Sequence, residues 1–307
     1  MIICSLFLTT IALRNKNHSS DYMKGLKIKH ELIEAIKTPK LIFAGGSNLA
    51  FGIDSKEIAD SLGIHVINMS LHAGLGASFI LNDIKSCVAK GDIVVLSLEY
   101  FLEKEGQYPL LLNAEKYYPK AKNFFRHDIG LMTDVYLQDS KDEIKRLFGQ
   151  KKEKQDSAYT SSAFNQYGDV VSHLNQPHLA NLRDKETFQY HYWSTIDDLN
   201  QFIEYANHND VKVFYLFPCY TQSQFEINKT AIKKLEADIR KNLECDIVNR
   251  PEDFVYADSD FFDTIYHLGK NGREKRTKQL ITLLTHDSAF QQKLSFLKAG
   301  QNKLAWH

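Results

Sequence analysis

The run Asp92-Ile93-Val94-Val95-Leu96-Ser97-Leu98 is apolar at consecutive positions, not at alternate ones. A strand of that pattern has no wet face, and strands buried on both faces belong to parallel sheets covered by helices above and below. A second such run, Leu41-Ile42-Phe43-Ala44, leads straight into Gly45-Gly46-Ser47-Asn48, which reads as a tight turn at the strand's carboxyl end. Around these two runs the periodicity alternates between strand and helix. A helix is expected from about Asp21 to Lys37, with Tyr22, Leu26, Ile33 and Ile36 near one face. Asp54-Ser55 caps a short helix ending at Gly63, and a strand follows over Ile64 to Met69. Gly74 and Gly76 turn the chain into an amphipathic helix, Ala77 to Ala89.

From Tyr100 to about Tyr190 the alternation stops. This region is rich in aromatic and charged residues, including the highly charged Lys141 to Asp156, and reads as an insertion over the carboxyl ends of the strands. Alternation resumes with a helix at Ser194 to Asn207, a strand at Val211 to Phe217, a helix at Asn228 to Asn242 and a strand at Asp246 to Asn249. A last helix from near Gly269 to Leu284 precedes a polar tail. Right-handed crossovers between such elements build an α/β fold, a three-layer α/β/α sandwich whose five parallel strands run in the order 2-1-3-4-5. The chain divides into an apolar segment, residues 1–16, and a single domain, residues 17–307, with the insertion at about 100–190.

Composition narrows the function mainly by exclusion. Lys+Arg and Asp+Glu both number 38, so no global charge draws the chain to nucleic acid. Four scattered cysteines make no disulfide framework, and the twelve histidines show no metal-ligand spacing, so neither metal nor cofactor is expected. Gly74-Leu75-Gly76 lacks the third glycine of a dinucleotide fingerprint, and G-K-[S/T] is absent. Met1 to Leu13 is nearly all apolar, short of the roughly 20 residues that span a bilayer, and is followed by Arg14 and Lys16. It reads as the remainder of a signal anchor or a signal-like apolar run. That places the protein at the cell envelope, membrane-associated through its N-terminus, with the cytoplasm as the alternative.

In a doubly wound sheet, Ser47 after strand one and Glu99-Tyr100 after strand three flank the crevice where strand order reverses, the usual ligand position. Ser47 is therefore the candidate nucleophile. A serine hydroxyl needs a base, and an imidazole base needs a carboxylate to set its tautomer. Phe261-Phe262-Asp263-Thr264-Ile265-Tyr266-His267-Leu268 supplies both, Asp263 and His267, on one loop after the last strand.

With Ser47, Asp263 and His267 in this layout, the sequence resembles the SGNH/GDSL hydrolase superfamily, esterases and acyltransferases on a flavodoxin-like sandwich. The resemblance covers roughly Leu41 to Leu98 and Val211 to Leu284. It implies a Ser47-His267-Asp263 triad, with an oxyanion hole from the N–H groups of Ser47 and of Gly74 in Asn68-Met69-Ser70-Leu71-His72-Ala73-Gly74. Gly46 stands where the family carries an aspartate, and the Asp263/His267 spacing is one residue wider than usual. Ser97-Leu98-Glu99-Tyr100-Phe101 replaces the family's glycine-x-asparagine, whose amide is the third oxyanion donor. A glutamate ionised at neutral pH only accepts hydrogen bonds, so Asn48, the Tyr100 phenol and Asn165 are candidate substitutes, and Glu99 is a candidate loop anchor or contact to substrate hydroxyls.

The Glu-Tyr variant, with Gly272, Arg276 and Thr277 on the following helix, is similar to SGNH-type proteins associated with bacterial surface polysaccharide, and distantly similar to the D-alanyl transfer protein of teichoic acid synthesis. That resemblance implies an acylated carbohydrate, or another ester, as substrate. Tyr100, Tyr117, Tyr118 and Trp193 are candidate sugar-stacking rings. The alternative is a non-catalytic glycan-binding or scaffold protein that keeps the fold.

Overall fold

The structure, a computed structural model, describes residues 21–135, 137–138 and 158–304; the apolar segment Met1 to Leu13 and the charged run Lys141 to Asp156 lie outside the described residues. A 3-10 turn, Asp21–Met23, opens into α1 (Lys24–Ala35), and β1 (Leu41–Gly45) follows. Next come α2 (Ser47–Ala50), α3 (Ser55–Leu62), β2 (Val66–Asn68), α4 (Gly76–Lys85), β3 (Ile93–Ser97), α5 (Tyr108–Tyr117), α6 (Thr195–His208) and β4 (Lys212–Tyr215). The chain closes with β5 (Tyr220–Thr221), α7 (Gln222–Asn242), β6 (Asp246–Ile247), β7 (Val255–Tyr256), α8 (Lys270–His286) and α9 (Ser288–Leu304).

Five of the strands form a parallel sheet in the order β2-β1-β3-β4-β6, flanked by helices, which is the expected three-layer α/β/α sandwich with the expected topology. Its fifth member is the sixth strand along the chain, because β5 and β7 pair in a separate two-stranded parallel sheet. All five residues of β1 and all five of β3 are buried, as their unbroken apolar runs require. The two strands pair in register from Leu41↔Ile93 to Gly45↔Ser97. Their carboxyl ends are therefore level, which brings the turn after Gly45 beside the turn after Ser97.

Local chemistry sets both ends of α3, the helix that carries the chain from this crevice to the start of β2. Asp54 Oδ1 accepts the N–H groups of Lys56 and Glu57, both at 3.1 Å, and so caps α3. Gly63 ends it at φ 64°, a left-handed conformation that glycine adopts without a Cβ penalty.

The structure departs from the sequence reading in two places. The expected polar tail after Leu284 is instead the helix α9, whose Phe290, Leu294 and Leu297 are buried against the body. Asp287 ends α8 and caps the next turn through its 2.8 Å bond from the Phe290 N–H. The apolar residues at i, i+4 and i+7 are masked in the sequence by polar neighbours. The insertion also does not lie wholly over the strand ends. Helix α5 and the 3-10 turn Pro119–Asn123 instead pack beside α1 in a second apolar cluster containing Tyr22, Leu26, Phe79, Leu111 and Phe124. Among the described residues, a later strap does cross the top of the sheet. The N–H groups of Leu179 and Arg183 donate to the carbonyls of Phe262 and Asp263, and those of Glu186 and Phe188 to the side chains of Gln224 and Asn228 on α7. No helix of the described residues is long and apolar enough to cross a membrane.

Candidate active site

A cleft of about 1160 Å³ opens at the carboxyl ends of β1 and β3, and Ser47, His72, Glu99, Glu186 and His267 all line it. Ser47 is the first residue of the helical turn α2, so its N–H has no intrahelical acceptor, and it donates to no other group of the described residues. The residue is 8 % exposed.

Asp263 and His267 meet as a hydrogen-bonded pair, His267 Nδ1 standing 2.9 Å from Asp263 Oδ1. The three residues between them form a loop that closes on Thr264, whose Oγ1 accepts the His267 N–H at 3.2 Å. The imidazole lies flat on Phe51, with ring centroids 4.1 Å apart and planes at 6°. Oδ2 of Asp263 accepts the Tyr159 hydroxyl at 2.6 Å and the Arg183 guanidinium. Burial alone would raise the pKa of Asp263; the His267 hydrogen bond and charge, with Tyr159 and Arg183, hold it below the usual carboxylate value. An ionised carboxylate on Nδ1 leaves Nε2 of His267 as the basic nitrogen.

The Ser47 hydroxyl faces Glu99. Its Oγ is 3.5 Å from Oε1, which also accepts the Asn48 N–H at 2.9 Å, and no hydrogen bond joins Ser47 to His267 among the described residues. Glu99 is buried at the edge of the cleft, its Oε2 has no hydrogen-bond partner among the described residues, and burial pushes its pKa up. The two departures from the family pattern at positions 46 and 99 are one arrangement in space. A Cβ at Gly46 would lie 2.1 Å from Glu99 Oε2. The backbone there, φ −86° and ψ −157°, is open to any residue, so glycine is needed for room and not for conformation. Two residues past Glu99, Phe101 holds φ 53°, a left-handed conformation costing roughly 1–2 kcal/mol for a residue with a Cβ. Backbone strain of this kind gathers at functional turns.

The three expected substitutes for the oxyanion asparagine are placed elsewhere. Asn48 is fully buried: its Nδ2 donates to Ser97 O at 3.0 Å, while Arg276 donates to its carbonyl at 2.6 Å and its Oδ1 at 3.1 Å. It supports the Ser47 turn from behind. The Tyr100 hydroxyl is buried with no hydrogen-bond partner among the described residues, its ring edge-on to Tyr220. Asn165 closes its own turn, accepting the N–H groups of Tyr167 and Asp169 at 2.9 Å and donating to Asp169 Oδ2. The Gly74 N–H donates to Nδ1 of His72 at 2.9 Å.

The expected stacking rings fare similarly. Trp193 is buried with its Nε1–H on Leu102 O, Tyr118 stacks on His30, and Tyr117 packs with the second apolar cluster; none of the three lines the cleft. The aromatic walls are Phe101 and Phe188, 5.0 Å apart, beside Tyr100 and Tyr266.

Several residues of the site carry no sequence signal. Tyr159 and Arg183 come from the irregular insertion, and only the fold brings them to Asp263. Glu186 does likewise: burial first, then the nearby charge of Glu99, push its pKa up to about 7. Among the described residues no group of three or more His, Cys, Asp or Glu side chains is arranged to hold a metal ion. Searches against protein-family models and against proteins of curated function return no match to this chain.

Proposed function

We propose that the protein is a serine esterase or acyltransferase of SGNH type, acting on O-acyl groups of a carbohydrate at the cell envelope through Ser47, His267 and Asp263. The observation that carries this reading is the Asp263–His267 pair at 2.9 Å, opening on the same cleft as a serine at the carboxyl end of β1. In the reaction the Ser47 hydroxyl turns from Glu99 toward Nε2 of His267. Catalytic hydrogen bonds are often loose before substrate binds. His267 takes the proton as Oγ attacks the ester carbonyl, Asp263 steadies the resulting imidazolium, and the Ser47 N–H donates to the negative oxygen. Return of the proton to the leaving alcohol completes the acyl-enzyme, which water or a sugar hydroxyl then resolves.

The test is turnover of a small acetyl ester and of an O-acetylated glycan by the purified chain and its Ser47→Ala variant. Hydrolysis or transfer by the first alone supports the reading. A second reading, a glycan-binding or scaffold protein of the same fold, is favoured by the orientation of Ser47 Oγ toward Glu99. It predicts glycan binding that is indifferent to Ser47→Ala, and no turnover.

A further inference from the structure

The amide that family resemblance assigns to the oxyanion, that of Gly74, is held by its neighbour: it donates to Nδ1 of His72 at 2.9 Å. A ring nitrogen that accepts carries no hydrogen, so a neutral His72 bears its hydrogen on Nε2 and is a donor there. The ring stays neutral because burial, and then the charge of nearby His267, push its pKa down to about 4. A cation at this place would weaken His267 as a base and leave the Gly74 N–H facing a donor. His72 lines the cleft with Ser47 and His267, half-buried, and no group of the described residues accepts from Nε2.

The side chains that the sequence offered as oxyanion donors are engaged, enclosed or of the wrong kind. Asn48 Nδ2 is on Ser97 O, Asn165 Nδ2 is on Asp169, the Tyr100 hydroxyl is sealed in, and Glu99 offers carboxylate oxygens. The Ser47 N–H alone makes a poor hole for an alkoxide. We propose that His72 is a catalytic residue, its Nε2–H joining the Ser47 N–H to receive the oxyanion formed at Ser47. This role rests on the esterase reading above and extends it to a donor outside the family pattern. As Oγ bonds to the carbonyl carbon, the π pair moves to oxygen and the hydroxyl proton goes to His267 Nε2. His72 donates a hydrogen bond throughout and transfers no proton. Collapse re-forms the carbonyl and breaks the bond to the alcohol, which leaves with the proton from His267. A neutral imidazole is suited to this, being a strong donor that adds no charge beside the base.

The experiment compares wild type, His72→Ala, His72→Asn and Ser47→Ala by steady-state hydrolysis of an aryl acetate, and by binding of a boronic acid that forms a tetrahedral adduct on the nucleophile. Loss of one oxyanion donor lowers kcat by about 10²- to 10³-fold, so His72→Ala is expected to do so with KM little changed. Boronate affinity falls in parallel while affinity for the product acid holds. Asparagine at 72 offers an oxygen to the Gly74 N–H and an amide hydrogen to the cleft, and partly restores kcat. If His72→Ala keeps wild-type kcat or exceeds it, the imidazole was only covering the Gly74 N–H and the proposal fails. The same holds if the Asn variant folds but is no better than Ala. Activity that survives Ser47→Ala overturns the esterase reading itself, whatever His72 does. Circular dichroism on each variant separates loss of fold from loss of catalysis.

Discussion

Gly46→Ala is the most informative small change beside Ser47. The new methyl would sit 2.1 Å from Oε2 and 2.5 Å from Cδ of Glu99, where ordinary contact begins at 3.4 Å, so the carboxylate must retreat by more than 1 Å. Its way out is toward the cleft, away from the Asn48 N–H whose hydrogen bond it accepts. Overpacking of this kind costs about 1–3 kcal/mol. Losing the 2.9 Å bond from the Asn48 N–H adds about 1–2 kcal/mol. Together the single variant should lose about 2–5 kcal/mol. Glu99→Ala alone should lose about 1–3 kcal/mol, mostly from the unpaired Asn48 N–H. The double variant has no clash, so it should cost little more than Glu99→Ala, leaving a coupling about as large as the Gly46→Ala loss itself, about 2–5 kcal/mol. Urea unfolding of the four proteins, followed by tryptophan fluorescence, measures this cycle. Additivity within about 0.5 kcal/mol would mean that the two positions are independent and that the spatial account of Gly46 is mistaken.

Three further outcomes follow from the same contacts. Asp263→Asn removes the charge that steadies His267 and should lower kcat by about 10⁴-fold in ester hydrolysis, with KM far less affected. Arg276→Met deprives Asn48 of both its guanidinium bonds and should cost about 3 kcal/mol in thermal or urea unfolding. Arg276→Lys should not rescue it, because one ammonium does not reproduce a two-pronged contact. His173, 1 % exposed, has Nε2 3.0 Å from Leu268 O and is held at about 4 by burial, against 6.5 when free. Between those values the unfolded chain binds a proton that the folded chain does not. Its contribution is complete above pH 6.5 and is lost as pH falls toward 4, roughly 3 kcal/mol in all. His173→Gln should flatten that part of the stability profile; an unchanged slope in denaturant titrations would assign it elsewhere.

What the sequence discloses is what repeats or punctuates. The unbroken apolar runs at Leu41–Ala44 and Ile93–Leu96 specify a buried parallel sheet, and the glycines and serine after the first run mark the end at which the cleft opens. Asp263 and His267 are legible because one short loop holds both. The partners of that pair are not, since Tyr159 lies 104 residues from Asp263 and Arg183 lies 80 residues from it, both within irregular chain. Asn48 shows the opposite failure. Its type suggests a donor to substrate, but Arg276, 228 residues away, and Ser97 engage its polar groups inside the core. Residue type gives capacity for hydrogen bonding, and only packing decides where that capacity is used. The tie between Gly46 and Glu99 depends on the reach of one side chain across two strands, which no periodic pattern encodes.

The central claim is that Ser47 is a nucleophile activated by His267. Intact-mass and peptide mapping after exposure to a fluorophosphonate tests it most directly. The account predicts one phosphonyl group on Ser47 in the wild type, none in Ser47→Ala, and labelling slowed severely in a folded His267→Ala. A folded wild-type protein that stays unlabelled, or that labels at Ser47 equally well without His267, would contradict it.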